Sequence, residues 1–557
     1  MPNPVREAGG DEAGFIETRL MLYQSSLQLV RPLAHGLQNG SATQRFMASF
    51  RRILAPLLLT LPLLFIAASA QPETPAEVVP VPVAPAGEVL TLDQAIQRAL
   101  AKNFSIKVSG YNASIAAAGV TEALGKFDPV LSGSYNHSEN RNPLLTFSAP
   151  NIRDETRDQT DAYEASVNGL VPWGLTYKLG GTTTNYRGTF NGYADNWDSF
   201  AGVSATQPLL RDAGFGATLA SIRIARTNRS ISDWQFRQSV IDTVTQVIRT
   251  YHDLNFANAY LRSALRSREL ANSLLTENEK RYKIGSMSEY DVTFARSNLA
   301  ETEETILFAQ RQVLDTENFL KQLISDDRTT GLLSERLVIE TPAPAPIVVV
   351  DPAADFRIAL EHRPDYQQAR LVSKRSGINS RQQLNQLLPR VDLVGSYGYN
   401  GLDTDRGASR RMVQDKDYRS YSWGVVASVP LTFTTERGRY RAAKLQERQA
   451  ETQLEQVEQN IVVQVGNAAG QIETTQKRIQ ADRQARELAQ ATLTAEEKRL
   501  RFGQTSTYQV SQYQRFLSQA EVAEAAAHSD YAKSLAEYDR QLGVTLEKLH
   551  ITIEAPR

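Results

Sequence analysis

The chain contains no cysteine among its 557 residues. That absence excludes a disulfide framework, a thiolate zinc site, a cysteine nucleophile and a lipid anchor attached through cysteine. An excess of charge is also missing, because 61 Lys and Arg residues balance 62 Asp and Glu residues. The balance excludes a strongly basic nucleic-acid-binding protein, so no nucleic-acid partner is expected.

Sequence motifs for catalysis are missing as well. The six histidines do not pair at metal-ligand spacing, and the sequence has no phosphate-binding Walker A motif. No nucleophile, acid–base pair or metal cluster stands out, so we predict no catalytic residue, no metal and no cofactor. Any work that requires energy would therefore depend on a partner protein.

One long apolar run occurs, over residues 53–70. Arg51 and Arg52 precede it and an Ala-Ser-Ala tripeptide ends it, which is the pattern of a secretory signal peptide. A transmembrane anchor is the alternative, since about 18 residues are near the lower limit for spanning a bilayer. We predict a signal peptide over residues 47–70 that is cleaved after Ala70.

The segments on either side of this run are predicted to lie outside the folded protein. Because Met47 stands just before the basic residues, residues 1–46 are interpreted as an upstream mis-start. Residues 71–88 contain five prolines and are predicted to form an extended linker. No later segment is apolar enough for a membrane helix, so any contact with a membrane must use strands or a surface helix.

Very long helices are predicted in both halves of the chain. Residues 222–283 and 287–328 are free of Pro and Gly, and helical patterns recur at 353–387, 438–502 and 505–543. At 1.5 Å per residue, the longest helices would extend about 95–100 Å. Their thin apolar seams indicate an array of neighbouring helices rather than a compact core. The seam of the helix at 438–502 consists of Leu454, Val457, Ile461, Val465, Ala468, Ile472 and Ile479.

Alternating patterns predict β-strands in two blocks, at about residues 129–210 and 389–434. From Tyr421 to Phe433 the odd positions are apolar or aromatic, and the even positions are mostly small or polar. Strands of this kind with aromatic residues near their ends are typical of a transmembrane β-barrel, and a half-exposed antiparallel sheet is the alternative. The candidate aromatic anchors are Tyr397, Tyr399, Tyr421 and Trp423.

The two halves of the chain repeat each other, which predicts an internal duplication. Each repeat would contain helices, a block of strands and a long helical hairpin. Neither block of strands suffices to close a barrel alone, which implies that subunits assemble around an axis. The first repeat is assigned to residues 89–330, with its hairpin at about 215–328. A linker at 331–350 leads to the second repeat at 351–545, with its hairpin at about 437–543. Residues 546–557 form a tail.

The clearest match between the halves surrounds one glycine in each. The segment Lys-Arg-Tyr-Lys-Ile-Gly285-Ser-Met-Ser corresponds to Lys-Arg-Leu-Arg-Phe-Gly503-Gln-Thr-Ser. Each glycine follows a long helix and is predicted to adopt the left-handed conformation that reverses the chain. The arginine in the last helical turn would complement the helix dipole, contact a partner, or both. The candidate tip residues are Arg281, Gly285, Ser288, Arg499, Gly503 and Ser506.

The chain resembles the TolC-type outer-membrane efflux and secretion ducts over about residues 90–545, because these motifs occur in the same order and occur twice. The resemblance is carried by Leu92-Asp-Gln-Ala95, the proline-led first strand of each half, Gln207-Pro-Leu-Leu210 and the two tips. It implies a mixed α and β membrane protein, in which a homotrimeric outer-membrane β-barrel continues as a long periplasmic α-helical coiled-coil barrel.

The same resemblance implies a function and partners. The chain would be a passive exit duct for efflux or type I secretion, localised in the outer membrane with a large periplasmic extension. Its tips would dock a periplasmic adaptor joined to an inner-membrane pump of RND, ABC or MFS type. The alternative is a periplasmic coiled-coil structural or adaptor protein that has no barrel.

Two features depart from the family pattern. The family's acidic pore positions, six and nine residues after the second tip glycine, are Gln509 and Gln512 here, so we expect no strong cation trap, although Asp291 could supply charge. The family also implies four strands per chain, or twelve in a trimer, which is the number we expect. Residues 172–174, Pro-Trp-Gly, interrupt an alternating stretch, so the sequence also permits eighteen strands or an extra hairpin outside the barrel.

Overall fold

A computed structural model describes residues 89–144, 154–334 and 336–553, which belong to one compact unit, Pro82–Arg557. The predicted mis-start at 1–46, signal peptide at 47–70 and linker at 71–88 all lie outside the described residues, as does the end of the predicted tail. Those assignments stay predictions.

The described residues form helices and strands in an order that recurs in the two halves. The helices are α1 (Leu92–Lys102), α2 (Phe104–Leu124), α3 (Gly214–Thr218), α4 (Ala220–Lys283), α5 (Glu289–Ile324), α6 (Gly331–Ser334), α7 (Pro352–His362), α8 (Pro364–Asn385), α9 (Arg406–Asp415), α10 (Thr434–Arg501), α11 (Thr507–Leu542) and α12 (Thr545–Lys548). The strands are β1 (Val89–Leu90), β2 (Val130–Leu144), β3 (Asp154–Leu170), β4 (Thr176–Gly188), β5 (Trp197–Pro208), β6 (Val338–Ile339), β7 (Arg390–Asp403) and β8 (Tyr418–Ser428).

The two longest helices, α4 with 64 residues and α10 with 68, confirm the predicted helical stretches. Each folds back into a hairpin, α4 with α5 and α10 with α11. The predicted seam of α10 is confirmed at its centre, because Ile461, Val465 and Ile472 are at most 1% exposed. They lie in one apolar cluster with residues of α7 and α11, so a single thin stripe holds three helices together.

The helix predicted over 353–387 is instead two helices, α7 and α8. The break falls at Arg363, whose backbone is extended (φ −67°, ψ 123°), and Pro364 opens α8. A proline ring disfavours helical backbone at the residue before it, which explains why the continuous pattern is interrupted there.

Six strands form one antiparallel sheet in the order β2-β3-β4-β5-β7-β8. The expectation of four strands per chain is therefore wrong. The physical reason is a tight turn between β3 and β4, closed by hydrogen bonds from the Val171 and Gly174 amides to the carbonyls of Leu175 and Val171 (both 2.8 Å). Gly174 has φ +103°, a conformation that favours glycine, so the Pro-Trp-Gly break returns the chain into the same sheet.

The apolar core is concentrated where the short helices α1, α2 and α7 pack against the long ones. Tyr251 of α4 is 1% exposed there and donates its hydroxyl to the carbonyls of Leu90 (3.0 Å) and Glu340 (2.7 Å). Toward the hairpin tips only small buried clusters occur among the described residues. These clusters are Ala264, Ile306 and Ala309 in one hairpin, and Leu493, Val510 and Leu517 in the other.

Candidate functional site at the hairpins and the sheet

The two hairpin tips share one backbone motif. After α4, the amides of Gly285 and Ser286 donate to the carbonyls of Tyr282 and Arg281 (both 2.9 Å). After α10, Gly503 and Gln504 donate in the same way to Leu500 (3.0 Å) and Arg499 (2.9 Å). This is the Schellman helix end, and it requires the left-handed backbone seen at Gly285 (φ +74°) and Gly503 (φ +70°). The predicted conformation of both glycines is confirmed.

The second helix of each hairpin, α5 or α11, begins with a serine cap. The two helices differ three residues later, where α5 has Asp291 and α11 has Gln509. Ser288 accepts from the Asp291 amide (3.3 Å), and the Asp291 carboxylate accepts from the amide (3.4 Å) and hydroxyl (2.5 Å) of Ser288. Ser506 accepts from the Gln509 amide (3.3 Å). The carboxylate of Asp291 is therefore engaged in its own helix cap. The side chain of Gln509 is exposed and that of Gln512 is half-buried.

The predicted tip arginines are bound within their own helices. Arg281 Nε lies 2.9 Å from Glu277, one helical turn earlier, and Arg499 lies 2.7 Å from Glu496. Glu496 is largely buried, so the partner of Arg499 is not a solvated surface carboxylate. An apolar side chain projects at each tip, because Ile284 is 79% and Phe502 is 80% exposed.

The two hairpins are linked by a polar contact that sequence reasoning missed. Arg515 of α11 donates to the side-chain oxygen of Asn298 in α5 (3.2 Å) and lies 3.2 Å from the Glu301 carboxylate. Asn298 is buried, whereas Glu301 is exposed. The partners are 217 residues apart in the chain, so no local pattern could pair them.

Further ion pairs connect α11 to α4 along their length: Arg266 with Glu521 (2.9 Å), Lys533 with Asp253 (2.7 Å) and Arg540 with Asp242 (3.2 Å). Burial opposes the charged form of Lys533, but hydrogen bonds to Asp253 and Asp530 outweigh it and hold the pKa of Lys533 above its usual value. Lys533 therefore stays charged near neutral pH. A cleft of about 440 Å³ opens between the hairpins, and its lining includes Asn298, Glu301 and Arg515 beside apolar residues of α4 and α11.

The sheet has one apolar and one polar face. Cross-strand partners share a face, and the register places Tyr397 opposite Tyr421 on one side and Ser396 opposite Ser422 on the other. The apolar face carries Leu131, Tyr135, Tyr163, Val167, Leu179, Val203, Leu393 and Val425. The polar face carries Ser132, Ser134, Glu164, Ser166, Asn168, Lys178, Thr182 and Ser204.

The four predicted aromatic anchors all lie on the apolar face. Trp423 is 78% and Tyr421 65% exposed, and the hydroxyls of Tyr397 and Tyr399 are 3.1 Å apart. In β7 the apolar positions run from 391 to 399, which at roughly 3.3 Å per residue and a tilt of about 40° gives a band roughly 20 Å tall. That height is close to the hydrophobic band of about 25 Å expected of strands that cross a membrane.

The profile of the family described as Outer membrane efflux protein matches residues 95–325 and 356–544, which cover both helical hairpins and the whole sheet. The chain belongs to this family. It is therefore an outer-membrane exit duct, and the alternative of a periplasmic adaptor without strands in the membrane is not favoured.

Solved structures of outer-membrane channels share the fold of this efflux protein. It is 19% identical to OprN, with a TM-score of 0.62 over 81% of this chain and 89% of OprN. It is 16% identical to CmeC of Campylobacter jejuni (TM-score 0.60, 82% of this chain and 86% of CmeC). It is 17% identical to MtrE of Neisseria gonorrhoeae in its open state (TM-score 0.58, 82% and 89%). No curated protein matches it in sequence.

Two further features are not found among the described residues of this efflux protein. No group of three or more His, Asp or Glu residues there could hold a metal ion. None of the helices in the same ranges is long and apolar enough to cross a membrane.

Proposed function

We propose that this duct works as a homotrimer that closes one continuous β-barrel through the outer membrane and extends its helices into the periplasm. The observation that carries the proposal is the sheet, with an apolar face of membrane height, a polar face and two outer strands. Among the described residues, β2 and β8 each pair on one side only. Exposed strand edges invite pairing with another chain, so β2 of one copy would pair with β8 of the next.

Closure by three copies would give a barrel of eighteen strands, because each chain contributes six. The number is even, as bacterial outer-membrane barrels require, and the polar face would line a water-filled lumen. We also propose that the two halves arose by duplication. Support comes from the shared Schellman ends and serine caps at the two tips.

The hairpin tips would dock a periplasmic adaptor joined to an inner-membrane pump of RND, ABC or MFS type, which supplies the energy. The exposed Ile284 and Phe502 offer an apolar contact at the end of each hairpin, flanked by Ser288 and Ser506. Arg281 and Arg499 are held beside these residues by their carboxylate partners and would contribute charge to the same surface. The duct itself would carry no catalytic group and no cofactor. Contacts between its hairpins would hold the channel closed.

The central experiment is single-channel conductance of the purified protein in a planar lipid bilayer. We propose that the hairpin ends converge on a constriction lined by Gln509 and Gln512. Neutral amides lack the field that attracts cations, so we expect a low conductance that millimolar divalent cations do not block. Replacing both residues by aspartate (Q509D/Q512D) should introduce voltage-dependent block by divalent cations.

The control for this measurement is Q453D/Q456D, which places two carboxylates at the same spacing on the exposed side of α10. This variant should conduct without block. Tight divalent block of the unmodified protein would contradict our assignment of the constriction. A protein that forms no channel and is recovered as a soluble periplasmic monomer would overturn the proposed function itself.

Removing the contact between hairpins should make the channel easier to open. In R515A, α11 loses its bonds to Asn298 and Glu301, so the closed arrangement is weakened relative to a splayed one. A half-exposed charged contact contributes about 1 kcal/mol, so we expect the ratio of open to closed time to rise about fivefold. The same bilayer recordings measure it.

The matched control is R311A. Arg311 also pairs with a carboxylate, Asp315 at 2.8 Å, but both lie on α5, so this pair cannot hold two hairpins together. It should leave the open time unchanged. Equal behaviour of R515A and R311A would show that the Arg515 contact does not restrain opening.

A further inference from the structure

A short helix, α9, connects β7 to β8 at the end of the sheet that is far from the long helices, and it lies on the apolar face. Its Ser409 is fully buried and donates to the Gly401 carbonyl (2.8 Å). A Cβ atom at Gly401 would lie 2.0 Å from the Ser409 carbonyl oxygen, so only glycine allows this approach. Gly401 has the same parity along β7 as Tyr397 and Tyr399, which places α9 on their side of the sheet.

The helix is amphipathic. Asp405 caps its N-terminus by accepting from the Ala408 amide (2.8 Å). Positions 406, 409, 412 and 413 are buried or half-buried against the sheet, whereas Arg410 and Arg411 are exposed. A helix with this pattern on the outside of a membrane sheet would lie in the plane of the membrane surface.

Aromatic rings hold one arginine of this helix in place. The guanidinium of Arg406 lies 4.7 Å from the ring centroid of Tyr163 and 5.2 Å from that of Trp197. Its Nε is buried and has no hydrogen-bond partner among the described residues. Arg419 at the start of β8 lies over the ring of Tyr421 in a similar way (5.6 Å).

The apolar face of the sheet becomes polar at the height along the strands where α9 lies. On the neighbouring strands Asp161, largely buried, lies 2.9 Å from Arg187 and accepts from the Tyr135 hydroxyl at 3.0 Å. A charged residue at this depth indicates that the hydrocarbon layer has ended, and tyrosine and tryptophan rings typically mark that boundary.

We propose that α9 and the start of β8 form a binding site for the phosphate groups of the glycolipid in the outer leaflet of the membrane. This inference rests on the proposed function, because it takes the apolar face to contact lipid. Within the described residues, no ion pair engages the five cations between 406 and 419. Four of them, Arg410, Arg411, Lys416 and Arg419, are exposed, so their donors are available to an anion. The fifth is Arg406, whose Nε is buried.

The chemistry of these groups suits phosphate. Arginine presents a planar fork of donors that matches phosphate oxygens, and a guanidinium fixed over aromatic rings loses little further freedom on binding. Three exposed carboxylates, Asp405, Asp415 and Asp417, reduce the net charge of the segment. Binding should therefore depend on contacts with particular arginines rather than on a diffuse positive field.

The test measures binding of bis-phosphorylated lipid A to the purified full-length protein in neutral detergent, by native mass spectrometry. The variant is R410Q/R411Q, which removes two exposed charges and leaves the stacked Arg406 and the buried Ser409 intact. We expect roughly a ten- to thirtyfold weaker affinity for lipid A, since each charge-assisted contact with phosphate contributes on the order of a factor of five. Unmodified protein should bind dephosphorylated lipid A at least as weakly as the variant binds the phosphorylated form.

The matched control is R439Q/R441Q, which removes two exposed arginines at the start of α10, beyond the opposite end of the sheet. Its affinity for lipid A should equal that of the unmodified protein. Equal affinities for R410Q/R411Q and the unmodified protein, or no preference for the phosphorylated lipid, would overturn the proposal. Lipid A binding is measured independently of conductance. A duct that conducts normally but does not bind the phosphates would therefore refute only this inference.

Discussion

Replacing Lys321 by methionine is expected to destabilise the protein strongly. Lys321 and Glu317 form an ion pair (2.9 Å) one turn apart on α5, and their side chains are only 6% and 4% exposed. Glu317 also accepts a hydrogen bond from the Leu337 amide (2.9 Å). Without the ammonium group, the carboxylate would be buried without its counter-charge, which costs about 3–5 kcal/mol. Chemical denaturation followed by circular dichroism at 222 nm measures the loss.

Two further variants isolate the cause of that loss. In E317Q/K321M both charges are removed while an acceptor for the Leu337 amide remains, so most of the stability should return. In K477M the lysine of an exposed pair with Glu473, at the same i,i+4 spacing, is removed, and we expect less than about 1 kcal/mol. If K321M cost no more than K477M, burial would not be the source of the effect.

Replacing Gly543 by alanine should also be strongly destabilising. Gly543 follows α11 with φ +76°, and a Cβ atom there would lie 2.8 Å from the carbonyl carbon and oxygen of His362. The left-handed backbone and the collision with α7 together should cost about 2–4 kcal/mol, because neither neighbour is a flexible side chain. The same denaturation experiment measures it.

Gly466 provides the matched control, since it lies inside α10 and no described atom beyond its own stretch of helix comes within 4 Å of a Cβ built on it. Alanine there should raise stability by about 0.5–1 kcal/mol, because it reduces the freedom of the unfolded chain and favours the helix. Effects of opposite sign at Gly543 and Gly466 would show that backbone conformation and space decide the outcome. A neutral result at Gly543 would contradict this account.

The long helices and their ends were predictable because the signals for them are local. The absence of Pro and Gly, the seam through Ile461 and Val465, and a glycine after each long helix all act within a few turns of the chain. The family resemblance could be recognised from the order of these signals, and the tip glycines adopt the predicted conformation.

The features that sequence reasoning missed depend on distant partners or on ambiguous local signals. The Pro-Trp-Gly segment at 172–174 suits a turn inside or outside the sheet equally well, and only its pairing with the rest of the fold decides the number of strands. Arg515 and Asn298 each look like ordinary polar helix residues until two hairpins are placed side by side. The helix α9 is short and rich in arginine, so its sequence resembles a loop.

The six-stranded sheet and the hairpin ends differ in how much they would resist flow through the duct. In the proposed trimer, twelve long helices would lead into eighteen strands, and barrel diameter grows roughly in proportion to strand number. The cross-section of the outlet would then be about twice that of a twelve-stranded one. Resistances in series add, so the outlet would contribute little and the hairpin ends would set the current. A mutation in the lumen of the sheet would change throughput far less than one of equal size near Gln512.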